Sequence, residues 1–112
     1  MTAEPGDVVR VDFGDIAGHK QAGVRPAVFL HTEGRVSLVV PLSANLNRLR
    51  FPNTVAITPD KTNGLSLPSA ALVFQMRAID MRRMAERLGS LSPKDKRALN
   101  KVIRSVALIP GV

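Results

Sequence analysis

The chain contains no cysteine, no tryptophan and no tyrosine. The first absence removes a disulfide framework, a thiolate metal site and a cysteine nucleophile together. With only His19 and His31, a histidine-rich metal site is excluded as well. The aromatic residues are Phe13, Phe29, Phe51 and Phe74, too few for an extended platform of stacked bases. No apolar run approaches the roughly 20 residues a membrane helix needs. The opening Met1-Thr2-Ala3-Glu4-Pro5-Gly6-Asp7 lacks the basic-then-apolar pattern of a secretory signal. The expectation is a cytoplasmic protein with no membrane contact and no cofactor. Acidic residues are scarce too, nine against sixteen Lys and Arg, for a net charge of +7.

What remains is ordinary globular material. The 112 residues are 45% hydrophobic and 22% charged, the size and balance of a single domain spanning 1–112. The charge is lopsided. Residues 1–56 hold six basic and five acidic residues; residues 57–112 hold ten and four. Eleven of the sixteen cations are Arg, whose planar fork matches phosphate in a way Lys does not. A compact body of this charge attracts polyanions by releasing their counterions, and nucleic acid is the commonest such partner.

Eight Gly and eight Pro punctuate short apolar runs, the rhythm of a small β-rich domain. Val8 to Phe13 predicts a first strand with Val9, Val11 and Phe13 on one face. Residues 14–23 read as a polar loop. Pro26 to Leu30 predicts a buried strand, and Glu33-Gly34 a turn into a strand over Val36 to Leu42. A second polar loop runs from Ser43 to Pro52. Asn53 to Ile57 predicts an edge strand, Ser69 to Gln75 a buried strand, Ile79 to Arg87 a short helical turn, and Arg87 to Leu91 a last strand. Ser92-Pro93-Lys94-Asp95 opens a helix, with a capping hydroxyl, a proline at the first helical position and an acid to complete the box. Leu99, Val102, Ile103 and Val106 then form an apolar stripe at helical spacing. The expected fold is mainly β, an open barrel or sheet closed by one amphipathic helix.

Few chemistries survive this inventory. There is no Gly-x-Ser-x-Gly elbow for acyl transfer and no glycine loop ending in Lys-Ser/Thr for nucleotide hydrolysis. No carboxylate pair stands out for glycosidase work. RNA cleavage asks less of a protein, because RNA carries its own nucleophile, the 2′-hydroxyl. It needs proton transfer and donors for the growing phosphorane charge, which Arg, Ser or Thr and backbone N–H groups can supply.

Five stretches, in order, resemble the MazF/PemK toxin family. Gly6 to Phe13 is similar to its opening strand. Gln21-Ala22-Gly23-Val24-Arg25-Pro26, followed by Ala27 to Leu30, resembles its most diagnostic segment, Gln-x-Gly-x-Arg-Pro before an apolar strand. Val39-Val40-Pro41-Leu42-Ser43-Ala44-Asn45 matches its strand-Pro-apolar-Thr/Ser segment, Ser69 to Asp80, with Gln75-Met76-Arg77-Ala78-Ile79-Asp80 at its end, its Gln-Ile-Arg-Thr-Ile-Asp strand, and Arg87 to Ser92 the strand before its C-terminal helix. The resemblance runs from about Gly6 to Leu108. It implies an SH3-like barrel of five to seven short strands with a C-terminal helix, acting as a homodimer. It implies a metal-independent, sequence-specific endoribonuclease that cuts single-stranded RNA, held in check by a cognate antitoxin. Carried onto this sequence, it makes Arg25 the main catalytic group, holding the scissile phosphate and serving in proton transfer. Ser43 would stand where Thr is usual, donating to the phosphorane. Gln75 would line the RNA groove from the fifth strand, and the loop with His19, Lys20 and Gln21 would flank it. Asn45 and Phe51 are further RNA-contact candidates.

Two departures from the family pattern concern specificity: Lys20 stands where Glu is frequent, and Phe74 where a polar residue is common. His19 is a substitute base by its titration range, or simply a loop residue. Structural readings stay open for the others. Arg25 could pair with Asp12 or Asp15, Ser43 and Asn45 could serve the turn, and Phe51 could anchor its loop. Other functions stay open too. One is a non-catalytic nucleic-acid-binding barrel. Another is a related toxin directed at DNA gyrase, a branch that uses a C-terminal Trp-Gly-Ile where this sequence reads Ile109-Pro110-Gly111-Val112. An acidic, partly disordered antitoxin segment is the partner that a basic RNA groove would attract.

Overall fold

A computed structural model describes residues 1–14 and 23–107. Seven strands precede one helix: β1 Asp7–Asp12, β2 Val24–Glu33, β3 Val36–Ser43, β4 Thr54–Ile57, β5 Ser69–Leu72, β6 Arg77–Asp80, β7 Met84–Ser90 and α1 Pro93–Ala107. All pairings are antiparallel. The main path runs β4-β5-β3-β2-β1-β7, and β6 pairs separately with β3. The long strand β3 therefore serves two ladders. Its first half, Val36 to Val39, pairs with β6, and its end, Leu42 and Ser43, pairs with β5. The result is the expected half-barrel of curled strands with a C-terminal helix.

Alternation along the strands sorts side chains onto two faces. Val8, Val28, Val40 and Leu42 point to one core, completed by Ile57, Val73 and Leu91 and covered by the α1 stripe of Leu99, Val102, Ile103 and Val106. Val9, Val11, Phe13, Ala27, Phe29 and Val39 point to the other, joined by Ile79 and Met84. Val8 and Val9 are both fully buried because β1 lies between the two cores. This explains why β1 and β2 read as continuous apolar runs rather than clean alternations. The helix begins as its sequence predicts: the Ser92 hydroxyl accepts a bond from the Asp95 N–H at 3.2 Å.

The connection after β6 differs from the expected helical turn. β6 ends at Asp80, residues Met81–Arg83 make a single 3-10 turn, and β7 begins at Met84. Asp80 caps that turn, accepting from the Arg82 backbone N–H at 2.9 Å and from its guanidinium at 2.9 and 3.1 Å. The Arg82 fork holds the Asp80 carboxyl down at a pKa of about 2. Arg83 then reaches the Asp12 carbonyl at 3.3 Å, beside the Val11–Met84 pair that joins β1 to β7. Ladder pairing to β3 and β1 outweighs the local helical pattern, as tertiary context commonly does. β5 is also shorter than predicted, and residues Val73–Gln75 form another 3-10 turn.

Two buried polar groups hold the frame. The Asn63 side chain is fully buried; its Oδ1 accepts from Asp60 and Leu65 N–H groups, and its Nδ2 donates to the Thr58 carbonyl at 2.9 Å. Ser90 N–H bonds the neighbouring Thr62 carbonyl, so this turn also fastens β7. Gly64 adopts φ +70 there, and a Cβ would collide with the Leu88 carbonyl. The second group is Asp7, whose carboxylate accepts from the Glu4 N–H at 2.8 Å and from Arg87 Nε at 3.0 Å. Burial works to raise the Asp7 pKa, but the Arg87 hydrogen bond, the Glu4 N–H and the Arg87 charge together hold it below the usual carboxylate value.

Replacing Asn63 by Ala strands two N–H donors and a carbonyl acceptor, and is expected to lower stability by about 2–4 kcal/mol, read from urea unfolding midpoints. For Asp7 the folded pKa lies below the unfolded one. Its stabilisation is therefore present above the unfolded value near 3.8 and is lost as pH falls through the folded value. Asp7→Asn is expected to cost about 1–3 kcal/mol at pH 7, with the gap from wild type closing below pH 4 in a series of unfolding curves.

Candidate nucleic-acid interface

The residue before a proline is pushed toward extended backbone, and Pro26 does this to Arg25 at the start of β2. Arg25 pairs with Val11 of β1. On its other side β2 meets β3 with Phe29 beside Val39, Val28 beside Val40 and Ala27 beside Pro41, past a bulge between Phe29 and His31. Carried two residues further, that register sets Arg25 opposite Ser43. Alternation along the two strands puts Arg25 and Ser43 on one face. The face is the one bearing Val11, Ala27 and Val39. The β2–β3 ladder stops at Ala27 and Pro41, while β3 runs on to pair Ser43 with Ala70 of β5. The two strands part where Arg25 and Ser43 stand. Arg25 is exposed there and Ser43 half-buried.

Ser43 and Asn45 shape the chain that follows. The Ser43 Oγ accepts from the Asn45 N–H at 3.1 Å, which leaves the hydroxyl proton to be donated outward. The Asn45 Oδ1 accepts from the Asn47 N–H at 3.1 Å and caps a 3-10 turn over Leu46–Arg50. The predicted polar loop thus contains an ordered turn, and the turn-forming reading of Asn45 has a visible basis. Phe51 follows directly, exposed. Gln75 is exposed as well, but it ends the Val73–Gln75 turn and does not lie on a strand. The fifth strand stops at Leu72, and the Met76 N–H then donates to the Val73 carbonyl to close a 3-10 turn. His19, Lys20 and Gln21 lie outside the described residues.

One residue with no role assigned from sequence joins this face. Arg77 sits opposite Val39, on the same side of the sheet, and its guanidinium lies 5.2 Å from the centroid of the Phe13 ring. Such a contact contributes about 0.5–2 kcal/mol. Phe13 in turn donates its N–H to the Gly23 carbonyl across the base of the loop at 3.2 Å. Arg77 was visible in the quoted Gln75-Met76-Arg77 run; only the curl of the sheet carries it toward β1. From residue 34 to residue 59 the chain holds Arg35, Arg48 and Arg50 and no acid. A cation, a hydroxyl donor and a second cation on one face can bind a phosphodiester and stabilise added negative charge on it.

An apolar cavity of about 390 Å³ lies elsewhere, between α1 and the opposite sheet face, lined by Leu30, Leu38, Met76, Leu99 and Ile103. No described helix is long and apolar enough to cross a membrane.

Comparison with known proteins agrees with this architecture. The chain is 29% identical over 103 residues to the endoribonuclease MazF of Staphylococcus saprophyticus, covering 88% of this chain and 85% of that one. Its fold matches the crystal structure of MazF (Form-I) from Deinococcus radiodurans with a TM-score of 0.77 at 23% identity, over 97% of this chain and 99% of that one. It also matches an endoribonuclease in complex with its cognate antitoxin from a mycobacterial species, with a TM-score of 0.68 at 16% identity, over 96% and 95% of the two chains. Residues 4–107 match the model of the PemK-like, MazF-like toxins of type II toxin–antitoxin systems, and the chain belongs to that family.

Proposed function

We propose that this chain is a metal-independent endoribonuclease that cuts single-stranded RNA, the toxin half of a toxin–antitoxin pair. The observation that carries the reading is that Arg25 and Ser43 lie two residues beyond the last β2–β3 pair, Ala27 with Pro41, on the same face of the sheet. Family membership supports it, as does the relative named an endoribonuclease.

In the proposed step the RNA 2′-oxygen attacks the adjacent phosphorus in line with the departing 5′-oxygen. The 2′-hydroxyl proton passes to a solvent water and the Arg25 guanidinium gives one to the 5′-oxygen as the P–O5′ bond breaks, Arg25 then regaining a proton from solvent. The products are a 2′,3′-cyclic phosphate and a 5′-hydroxyl, with no water consumed. Arg25 holds the scissile phosphate and donates toward the leaving side; Ser43 donates to the oxygen that gains charge. The nucleophile belongs to the substrate and the positive charge to Arg25, so the step needs no metal. His19, Lys20, Gln21, Asn45, Phe51 and Gln75 are the proposed contacts along the strand. The relative solved with its cognate antitoxin supports a partner of that kind here. An acidic segment that folds over the basic face is the proposed occupant when RNA is absent, and a homodimer the proposed working form.

Purified protein is expected to cut single-stranded RNA in excess EDTA, and a 2′-deoxy nucleotide at the cut is expected to block it. Arg25→Ala is expected to lower kcat/KM by about 10²–10³ without changing the unfolding midpoint. Cleavage that requires added metal, survives on the deoxy substrate, or proceeds at wild-type rate in Arg25→Ala contradicts the proposal. RNA binding without any cleavage supports a non-catalytic binding barrel instead. Complex formation with an acidic antitoxin is expected to weaken from 50 to 500 mM salt, measured by calorimetry; a salt-independent affinity points to an apolar interface.

A further inference from the structure

The four phenylalanines divide evenly between interior and surface. Phe13 and Phe29 are at most 8% exposed, whereas Phe51 and Phe74 are 42% and 43% exposed. Moving a side chain of this size from water to a core stabilises by about 1.5–3 kcal/mol, so two exposed rings side by side form an unusual surface. They are in contact, with centroids 6.0 Å apart and planes at 61°. That edge-to-face arrangement makes a corner and leaves ring surface open, unlike a closed stack. The Arg50 guanidinium lies 5.8 Å from the Phe51 centroid. Both rings are held by short 3-10 turns: Phe51 N–H bonds the Arg48 carbonyl, and Phe74 is the middle residue of Val73–Gln75. The corner is continuous with the candidate site, since Ser43 and Asn45 lead into the turn that ends at Phe51, and Gln75 follows Phe74.

We propose that Phe51 and Phe74 form a stacking corner for one unpaired base of a single-stranded RNA, with Arg50 engaging the neighbouring phosphate. The charge of the patch selects this occupant. Residues 34–59 carry cations and no carboxylate, and an aromatic face beside an arginine suits a base followed by a phosphate. A planar base can lie on one ring with its edge against the other. The rings carry no hydrogen-bonding groups, so the corner holds a base by its π-face. Phe74 offers no group that could bond a base edge. Recognition at this one nucleotide is therefore tolerant of base identity, and sequence discrimination falls to neighbouring polar groups such as Gln75. The inference rests on the reading that the chain binds single-stranded RNA, but not on its cutting that RNA.

The test is a double-perturbation binding measurement. A set of short fluorescent single-stranded RNAs, each with one abasic nucleotide, is titrated against wild type and against Phe51→Leu and Phe74→Leu. Leucine keeps apolar bulk and removes the ring, and unfolding midpoints confirm that the variants fold. One abasic position is expected to weaken wild-type binding about 5- to 150-fold, as the ~1–3 kcal/mol of a stacked base requires. The same position is expected to cost the variants little further, and exchanging the base there among the four is expected to change affinity less than at other positions. Abasic losses that add fully to the Leu losses at every position overturn the corner, even if the RNA is bound and cut. So do variants that bind RNA normally but lose a dimer in sedimentation, which would make the rings a protomer contact. If wild type binds no RNA, both readings fall. If it binds without cutting but shows the coupling, only the nuclease reading falls.

Discussion

The pairing of β2 with β3 is the constraint on which the rest depends. Its register determines which side chains reach each core. Slipped by one residue, Val28 and Val40 would exchange faces with Phe29 and Val39, and both apolar clusters would turn polar or overfill. The same register brings a guanidinium and a hydroxyl to opposite strands at the point where the ladder ends. Structure and proposed chemistry thus draw on one set of backbone hydrogen bonds. Because both flanking strands are packed on two sides, that end of the sheet is a rigid mount, which a site organised around a phosphate requires.

The polar groups outside the site are arranged to keep this mount curled. Asp80 and Arg82 shape the turn between β6 and β7, Arg83 crosses to β1, and Arg87 secures Asp7 at the β1 start. Asn63 fastens the long connection between β4 and β5 against β7. On the face that carries Arg25, the Arg77 guanidinium lies 5.2 Å from the Phe13 ring and joins β6 to the end of β1.

Much of this was legible from sequence because the strong signals are local. The Ser92-Pro93-Asp95 start predicts α1, and short apolar runs set between Gly and Pro predict β1 to β3. Arg25 before Pro26 stood out as an extended cation, and the family resemblance gave it chemistry. The failures share one cause. Ser69 to Gln75 predicts one strand because its interior, Ala70 to Phe74, is continuously apolar, yet the chain leaves β5 at Leu72 to turn toward β6. Residues 79–87 looked helical because nothing local records a long-range ladder to β3 and β1. Arg77 and the Phe51–Phe74 corner were missed for the same reason: each joins segments far apart in sequence, and period-based reading sees one segment at a time.

The central claim is that Arg25 and Ser43 act together on one phosphate. A double-mutant cycle on RNA cleavage tests it most directly, comparing kcat/KM for wild type, Arg25→Ala, Ser43→Ala and the double variant. If the two side chains serve a single transition state, the double variant loses much less than the product of the single losses. Losses that multiply fully would show that the two residues act independently, and would contradict the account.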